Sequence, residues 1–188
     1  MDEIMLKKAK NGDPDAFENI IKEHQTMIYN IAYRISGNRD DAFDISQDAM
    51  IKMYKNLQYF EGTSKLSTWI YRIVTNTALD FMRKNRRHAV VSSLDEATDS
   101  ENAPLQVQSD DPTPHEQLER KELMKAVENA LSELSENHRA VLVLRDINGL
   151  SYEEIADILL CSEGTVKSRI NRARKALQII LSKKKELF

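Results

Sequence analysis

Between Val90 and Pro114 the chain (VVSSLDEATDSENAPLQVQSDDPTP) has no sustained apolar period, and this stretch holds three of the four prolines along with much Ser and Asp. A segment of that composition cannot bury enough apolar surface to offset its ordering entropy, so it reads as a flexible acidic linker. It divides the 188 residues into units at 1–89 and 115–188, with 90–114 between them. Units of about ninety and about seventy residues are small but still foldable. Only 5 Gly and 4 Pro are present, which leaves little turn chemistry for a many-stranded fold. Long segments rich in Ala, Leu, Ile, Glu and Lys point instead to an all-α protein, two small helical domains joined by the linker.

In the first unit, Asp13 and Pro14 form a helix start, and Phe17, Ile20, Ile21, His24, Ile28, Ile31 and Ile35 then recur at helical spacing up to Gly37. A second helix is expected from about Arg39 to Leu57, with Ala42, Ile45, Ala49, Met53 and Leu57 on one stripe. After a loop from Gln58 to Ser67, which contains Gly62, a third helix is expected from about Thr68 to Arg86 with Ser67 as its cap. The second unit opens with a helix over roughly His115 to Leu134, with Leu118, Leu123, Val127 and Leu131 inward. Another helix follows from Glu136 to Ile147, and Gly149 ends it.

The sharpest local signal comes next. Ser151-Tyr-Glu-Glu154 has the form of a capping box opening a short helix, Tyr152 to Leu159, that buries Ile155, Ala156 and Leu159. Leu160-Cys161-Ser162 leaves only a tight turn before a second helix from Glu163, with Ser162 as its cap. Two short helices so joined match a helix-turn-helix, whose second helix enters the DNA major groove. At 100° per residue Val166, Ile170, Ala173 and Leu177 form an inward stripe. The opposite face carries Lys167, Ser168, Asn171, Arg172 and Lys175, flanked by Arg169 and Arg174, with no carboxylate after Glu163. Donors for base edges flanked by cations for phosphates are what base readout requires.

The net charge of -3 is low for a nucleic-acid binder, but the charge is segregated. Thr63 to His88 holds six basic residues against Asp80 alone, and Glu163 to Lys185 holds eight against Glu163 alone. Ala89 to Glu116 carries seven acidic residues and no Lys or Arg. The pattern is two basic patches joined by an acidic spacer.

Catalysis and metal binding find no support. His24, His88, His115 and His138 are scattered, show no metal spacing with Cys161, and no phosphate-cradling glycine loop is present. The expectation is a non-enzyme with no cofactor and no metal. A lone cysteine fits a reducing cytoplasm, the charged N-terminus does not suit a signal peptide, and no apolar run is long enough to insert in a membrane.

A helix-turn-helix alone leaves the class of regulator open, and the flanking residues narrow it. Leu150-Ser-Tyr-Glu-Glu-Ile-Ala156, Gly164-Thr-Val-Lys-Ser-Arg169 and Arg172-Ala-Arg174 resemble the promoter -35 reading module of extracytoplasmic-function (ECF) sigma factors of the sigma-70 family. Asp44-Ile-Ser-Gln-Asp48, Phe60-Glu-Gly62 and Ser67-Thr-Trp-Ile-Tyr-Arg-Ile73, with Asn76 and Arg83-Lys-Asn-Arg-Arg87, resemble the other module of that family. The resemblance spans almost the whole chain except the linker, with both motif sets in the family's order. The turn departs from the pattern, carrying Leu160 where Gly or Asn is common.

The resemblance implies a sigma factor that binds core RNA polymerase and directs transcription initiation from promoter DNA. Residues 1–89 would form region 2, for polymerase binding and the -10 element, and residues 115–188 would form region 4, for the -35 element. Asp44, Gln47 and Asp48 would contact the β′ clamp helices, and the β flap would be a further polymerase contact. Phe60, read as exposed beside Gly62, would take an unstacked base and Asn76 a base edge. Lys65, Arg72, Arg83, Lys84, Arg86 and Arg87 would complete the -10 surface. Lys167, Ser168, Arg169, Asn171, Arg172, Arg174 and Lys175 would read the -35 element. Trp69 is expected to pack in the core rather than touch DNA. An anti-sigma factor is implied as a further partner. Two other readings stay open: a conventional regulator that binds DNA without polymerase, and an interaction protein that binds only a partner.

Overall fold

In the computed structural model, which describes residues 3–91 and 126–185, the protein is all-α. The N-terminal unit holds α1 (Glu3–Lys10), α2 (Pro14–Ser36), α3 (Arg39–Asn56), a short 3₁₀ turn (Leu57–Tyr59) and α4 (Leu66–Val91). The C-terminal unit holds the described end of α5 (126–132), α6 (Glu136–Leu142), a π-helical turn (Val143–Ile147), α7 (Tyr152–Leu159) and α8 (Glu163–Lys185). Among the described residues there is no strand, and no helix is long and apolar enough to cross a membrane. The linker expected at 90–114 lies almost wholly outside the described residues, as do Leu118 and Leu123.

Local chemistry sets most helix ends. Asp13 Oδ1 accepts from the Ala16 amide at 3.0 Å, Pro14 occupies the first turn of α2, and Gly37 (φ 77°) closes the helix by donating to Tyr33 O at 2.7 Å. One residue later Asn38 Oδ1 accepts from Asp40 N and Asp41 N at 2.8 and 3.1 Å, which starts α3. Asp40 and Asp41 put negative charge in its first turn, where the helix dipole favours it.

Helices α2, α3 and α4 pack around Ile20, Ile28, Ile31, Ile35, Ile45, Met53, Leu57 and Ile70, all 2% exposed or less. Each such side chain contributes roughly 1.5–3 kcal/mol by leaving water. The stripes expected on α2 and α3 are therefore the core stripes, although Phe17, Ile21 and His24 sit half-buried at the margin. The second core gathers Leu131, Leu134, Val141, Leu142, Leu144, Ile155, Ile158, Val166, Ile170 and Ala173.

Two boundaries differ from expectation. Helix α4 starts at Leu66, so Ser67 lies inside its first turn and is not the cap. Leu66 is buried, and the Trp69 amide donates to Lys65 O at 3.1 Å, so packing draws the start forward. Helix α6 does not run unbroken to Ile147. It widens into the π turn, after which Asn148 N donates to Val143 O and Gly149 (φ 70°) ends the segment. Helix α1 had no counterpart in the sequence reading.

The two units share a face. Ala140 of α6 and Leu159 of α7 pack against the first core, and Tyr71 of α4 touches both cores. Helix α4 lies along α7, and α2 meets α6.

Candidate nucleic-acid interface

The helix-turn-helix is built as the sequence implies. Ser151 Oγ accepts from Glu154 N at 3.1 Å while Glu154 Oε2 accepts from Ser151 N at 2.8 Å, completing the capping box of α7. The helix buries Ile155, Ala156 and Ile158, whereas Leu159, expected inward, is half-buried between the two cores. Leu160 makes the turn in left-handed conformation (φ 50°, ψ 50°), the only non-glycine residue with positive φ among those described. Ser162 then caps α8, its Oγ accepting from Thr165 N at 3.2 Å.

Val166, Ile170 and Ala173 of α8 are buried and Leu177 half-buried, so the opposite face is free. On it Lys167, Ser168, Asn171, Arg172 and Lys175 are exposed, with Arg169 half-buried at the flank. Arg172 lies back on its own helix, donating from Nη2 to Ser168 Oγ at 3.1 Å and from Nε to Ser168 O at 3.3 Å. Lys167 stands 3.7 Å from Glu163 and 5.5 Å above the Tyr152 ring. Arg174 differs from its expected role. It donates through Nε (3.1 Å) and Nη2 to the Asp146 carboxylate, which also holds its guanidinium still further above its ordinary pKa. This pair ties α8 to the π turn rather than leaving Arg174 free on the reading face.

On the N-terminal unit, Lys65, Arg72, Lys84 and Arg87 are exposed, and Arg83 pairs with Asp80 at 3.0 Å. Three other positions depart from expectation. Phe60 is not exposed. It is 5% accessible and packs against Trp69 with ring centroids 5.4 Å apart, while Lys10 Nζ donates to its carbonyl at 2.6 Å. The exposed aromatic of this loop is Tyr59, at 72%. Trp69 is core, as expected. Asn76 is half-buried and donates from Nδ2 to Ile158 O of α7 at 3.1 Å, and Arg86 pairs with Glu136 of α6 at 2.6 Å. Asn76 therefore faces the C-terminal unit, whereas Arg86 reaches Glu136 while staying largely exposed. Tyr71 joins them, its hydroxyl 3.3 Å from Asn148 Oδ1 and its pKa raised by burial.

Asp44, Gln47 and Asp48 are all exposed on one side of α3. Beside them lie the exposed apolar side chains of Phe43, Ile51 and Tyr54, which periodicity had not singled out. Asp41, at the head of the same helix, has its carboxyl pKa raised by burial and then by Asp44 and Asp40. An acidic surface with apolar side chains at its centre suits a protein partner better than DNA.

Residues 20–88 match the family model for Sigma-70 region 2, and residues 124–177 match that for Sigma-70, region 4. The chain is 37% identical over 180 residues to the ECF RNA polymerase sigma factor SigW of Bacillus subtilis (strain 168), covering 94% of this chain and 96% of that one. The chain belongs to the ECF subfamily of the sigma-70 family. It is also 35% identical to the ECF RNA polymerase sigma-E factor of Escherichia coli (strain K12), over 94% of this chain and 92% of that one. Among solved structures it resembles the sigma factor RpoE in complex with the anti-sigma factor NepR from Bartonella quintana. The TM-score is 0.69 at 30% identity, over 88% of this chain and 96% of that one. It also resembles CnrH in complex with the cytosolic domain of CnrY, with TM-score 0.65 at 25% identity over 95% and 96%. As a sigma factor, the protein binds core polymerase and directs promoter recognition and transcription initiation. The two family matches fall one on each side of the expected linker.

Proposed function

We propose that the N-terminal unit, residues 1–89, docks on polymerase and holds the -10 element, while residues 115–188 read the -35 element. The observation that carries this reading is the outward face of α8. On a capped helix-turn-helix it presents Lys167, Ser168, Asn171, Arg172 and Lys175 to solvent, with no carboxylate after Glu163. Arg169 supports that face from the flank, and Arg174 buttresses it through Asp146. Lys65 and, along α4, Arg72, Arg83, Lys84, Arg86 and Arg87 follow DNA phosphates, and Asn76 takes a base edge once it leaves its partner on α7. Tyr59 is the side chain best placed to stack on an unstacked base, and Phe60 supports the loop from beneath.

Asp44, Gln47 and Asp48, with Phe43 and Ile51 beside them, form the docking surface for the β′ clamp helices, and the C-terminal unit meets the β flap. An anti-sigma factor is a further partner, a reading supported by the likeness to sigma factors solved in such complexes. The protein performs no chemistry of its own and works in the cytoplasm, a setting with which free Cys161 is consistent.

The test is reconstitution. Core polymerase plus this chain should start transcripts from promoters that core polymerase alone ignores, and mapped start sites should share two upstream elements. Absence of any specific transcript across the source genome would sink the reading.

A further inference from the structure

We propose that Lys10 of α1 is a positioning residue for promoter reading: it holds the loop backbone that presents Tyr59. This rests on the assignment of Tyr59 to an unpaired base of the -10 element. Lys10 Nζ donates to the Phe60 carbonyl at 2.6 Å, and Lys10 is half-buried while its neighbours Lys7 and Lys8 are exposed. A bond from an ammonium to a carbonyl is charge-assisted and stronger than one between neutral groups. Helix α1 lies ahead of residues 20–88, the part that matches region 2, and through Lys10 it reaches the loop.

The bond joins two anchored pieces of backbone. Helix α1 is seated by buried Ala9 and by Met5 and Leu6, which pack on the first core. Its end is closed by Gly12 N donating to Ala9 O at 3.0 Å and Asp13 N donating to Lys8 O at 3.2 Å. On the loop side Leu57 is buried, the Phe60 amide donates to Leu57 O at 3.1 Å, and the Phe60 ring rests on Trp69. The Phe60 carbonyl is where this held turn meets the exposed run of Glu61, Gly62 and Thr63. Tyr59 stands inside the turn with its side chain free in solvent. Beyond the bond, α1 and the loop border a groove of about 660 Å³, so packing there does not replace it.

Stacking a base on Tyr59 requires an ordered ring on an ordered backbone. A turn held in advance loses less freedom on binding, so more of the stacking energy appears as affinity. With the tether cut, the loop points Tyr59 correctly for a smaller fraction of the time, and affinity falls by that fraction. Lys10 acts through the tyrosine and makes no contact with DNA of its own.

The test uses the full-length chain bound to core polymerase. A labelled single-stranded oligonucleotide carries the -10 element taken from mapped start sites, and its binding is followed by anisotropy. Lys10→Met keeps the apolar stem, removes the donor and should weaken binding about three- to tenfold. Lys10→Arg should restore most of the loss. Tyr59→Ala should weaken binding too, and adding Lys10→Met to it should cost nothing further. The salt dependence should stay that of the unmodified chain. In the free protein, Lys10→Met should speed hydrogen exchange at the amides from Glu61 to Thr63.

A Lys10→Met loss that adds in full to that of Tyr59→Ala is a general fold defect and overturns the proposal. So does a salt slope flattened by about 0.7, which makes Lys10 a phosphate contact. Unchanged exchange, or unchanged binding by Lys10→Met where Tyr59→Ala weakens it, overturns it as well. If Tyr59→Ala binds like the unmodified chain, the assignment of this loop to the -10 element is what fails, and exchange still decides whether Lys10 holds the loop.

Discussion

Leu160 is where the backbone and the side chain pull in different directions. At φ 50° an L-residue other than Gly, Asn or Asp gives up roughly 1–2 kcal/mol. Its side chain is 78% exposed and recovers little of that by burial. The conformation persists because Cys161 N must reach Ala156 O at 3.0 Å for α7 to end and α8 to begin so closely. Leu160→Asn should relieve the strain, since asparagine tolerates the left-handed region, and should raise stability by about 1 kcal/mol. In a chain of this size that is a rise of about 2–4 °C in the calorimetric melting temperature. An unchanged or lower melting temperature would mean that the turn is not strained, or that the leucine's contact with the α4 groove outweighs the strain. Phe60 makes the opposite point. Its sequence neighbourhood, beside Gly62, suggests an exposed ring, but Trp69, nine residues on, is expected in the core, and the two rings meet there. Loop aromatics cannot be sorted into Phe60 inside and Tyr59 outside without knowing which way the loop turns.

At the scale of elements, legibility followed the locality of the cause. Asp13, Gly37, Ser151, Glu154 and Ser162 act within four residues of themselves, so the bounds of α2, α7 and the start of α8 could be read directly. The stripes on α3 and α8 were legible for the same reason, because a helix repeats its facing every few residues. Long-range causes were not legible. Helix α1 is short and stands against the loop at Phe60 through Lys10, and the π turn is tied to α8 by Arg174 and Asp146. For the reading face itself, Arg172 is the side chain to remove. Without DNA it only bridges to Ser168, so Arg172→Ala should leave the fold intact. In the polymerase-bound protein the same change should weaken recognition of the upstream element by ~1–3 kcal/mol and relax preference at one position. Promoter competition assays would read both effects, and an unchanged preference would remove Arg172 from the face.

For the whole molecule, the decisive property is that its charge is not spread evenly. A net charge of -3 gives no general attraction to DNA, so affinity must come from the two basic surfaces once they are presented together. The α8 face is open, as are Lys65, Arg72, Lys84 and Arg87 of the N-terminal unit, whereas Asn76 of α4 is held by α7 and Arg86 pairs with Glu136 of α6 while staying largely exposed. This asymmetry was invisible in the sequence, because the groups that create it, Glu136 and the Ile158 carbonyl, lie 50 positions or more from their partners. It also allows phosphate contacts to be separated from base reading. Lys84 and Arg87 are exposed on α4. Each phosphate they neutralise releases condensed counterions, so the logarithm of promoter affinity should fall with the logarithm of salt with about 0.9 of slope per contact. The double variant Lys84→Ala, Arg87→Ala, bound to core polymerase, should flatten that slope by about 1.8. It should weaken binding to all promoters alike and leave the preference among upstream elements unchanged. Filter binding over a salt series, on a cognate promoter and one with an altered upstream element, separates the two quantities. A changed preference with an unchanged slope would mean that these side chains read bases, and the division of labour between α4 and α8 would have to be redrawn.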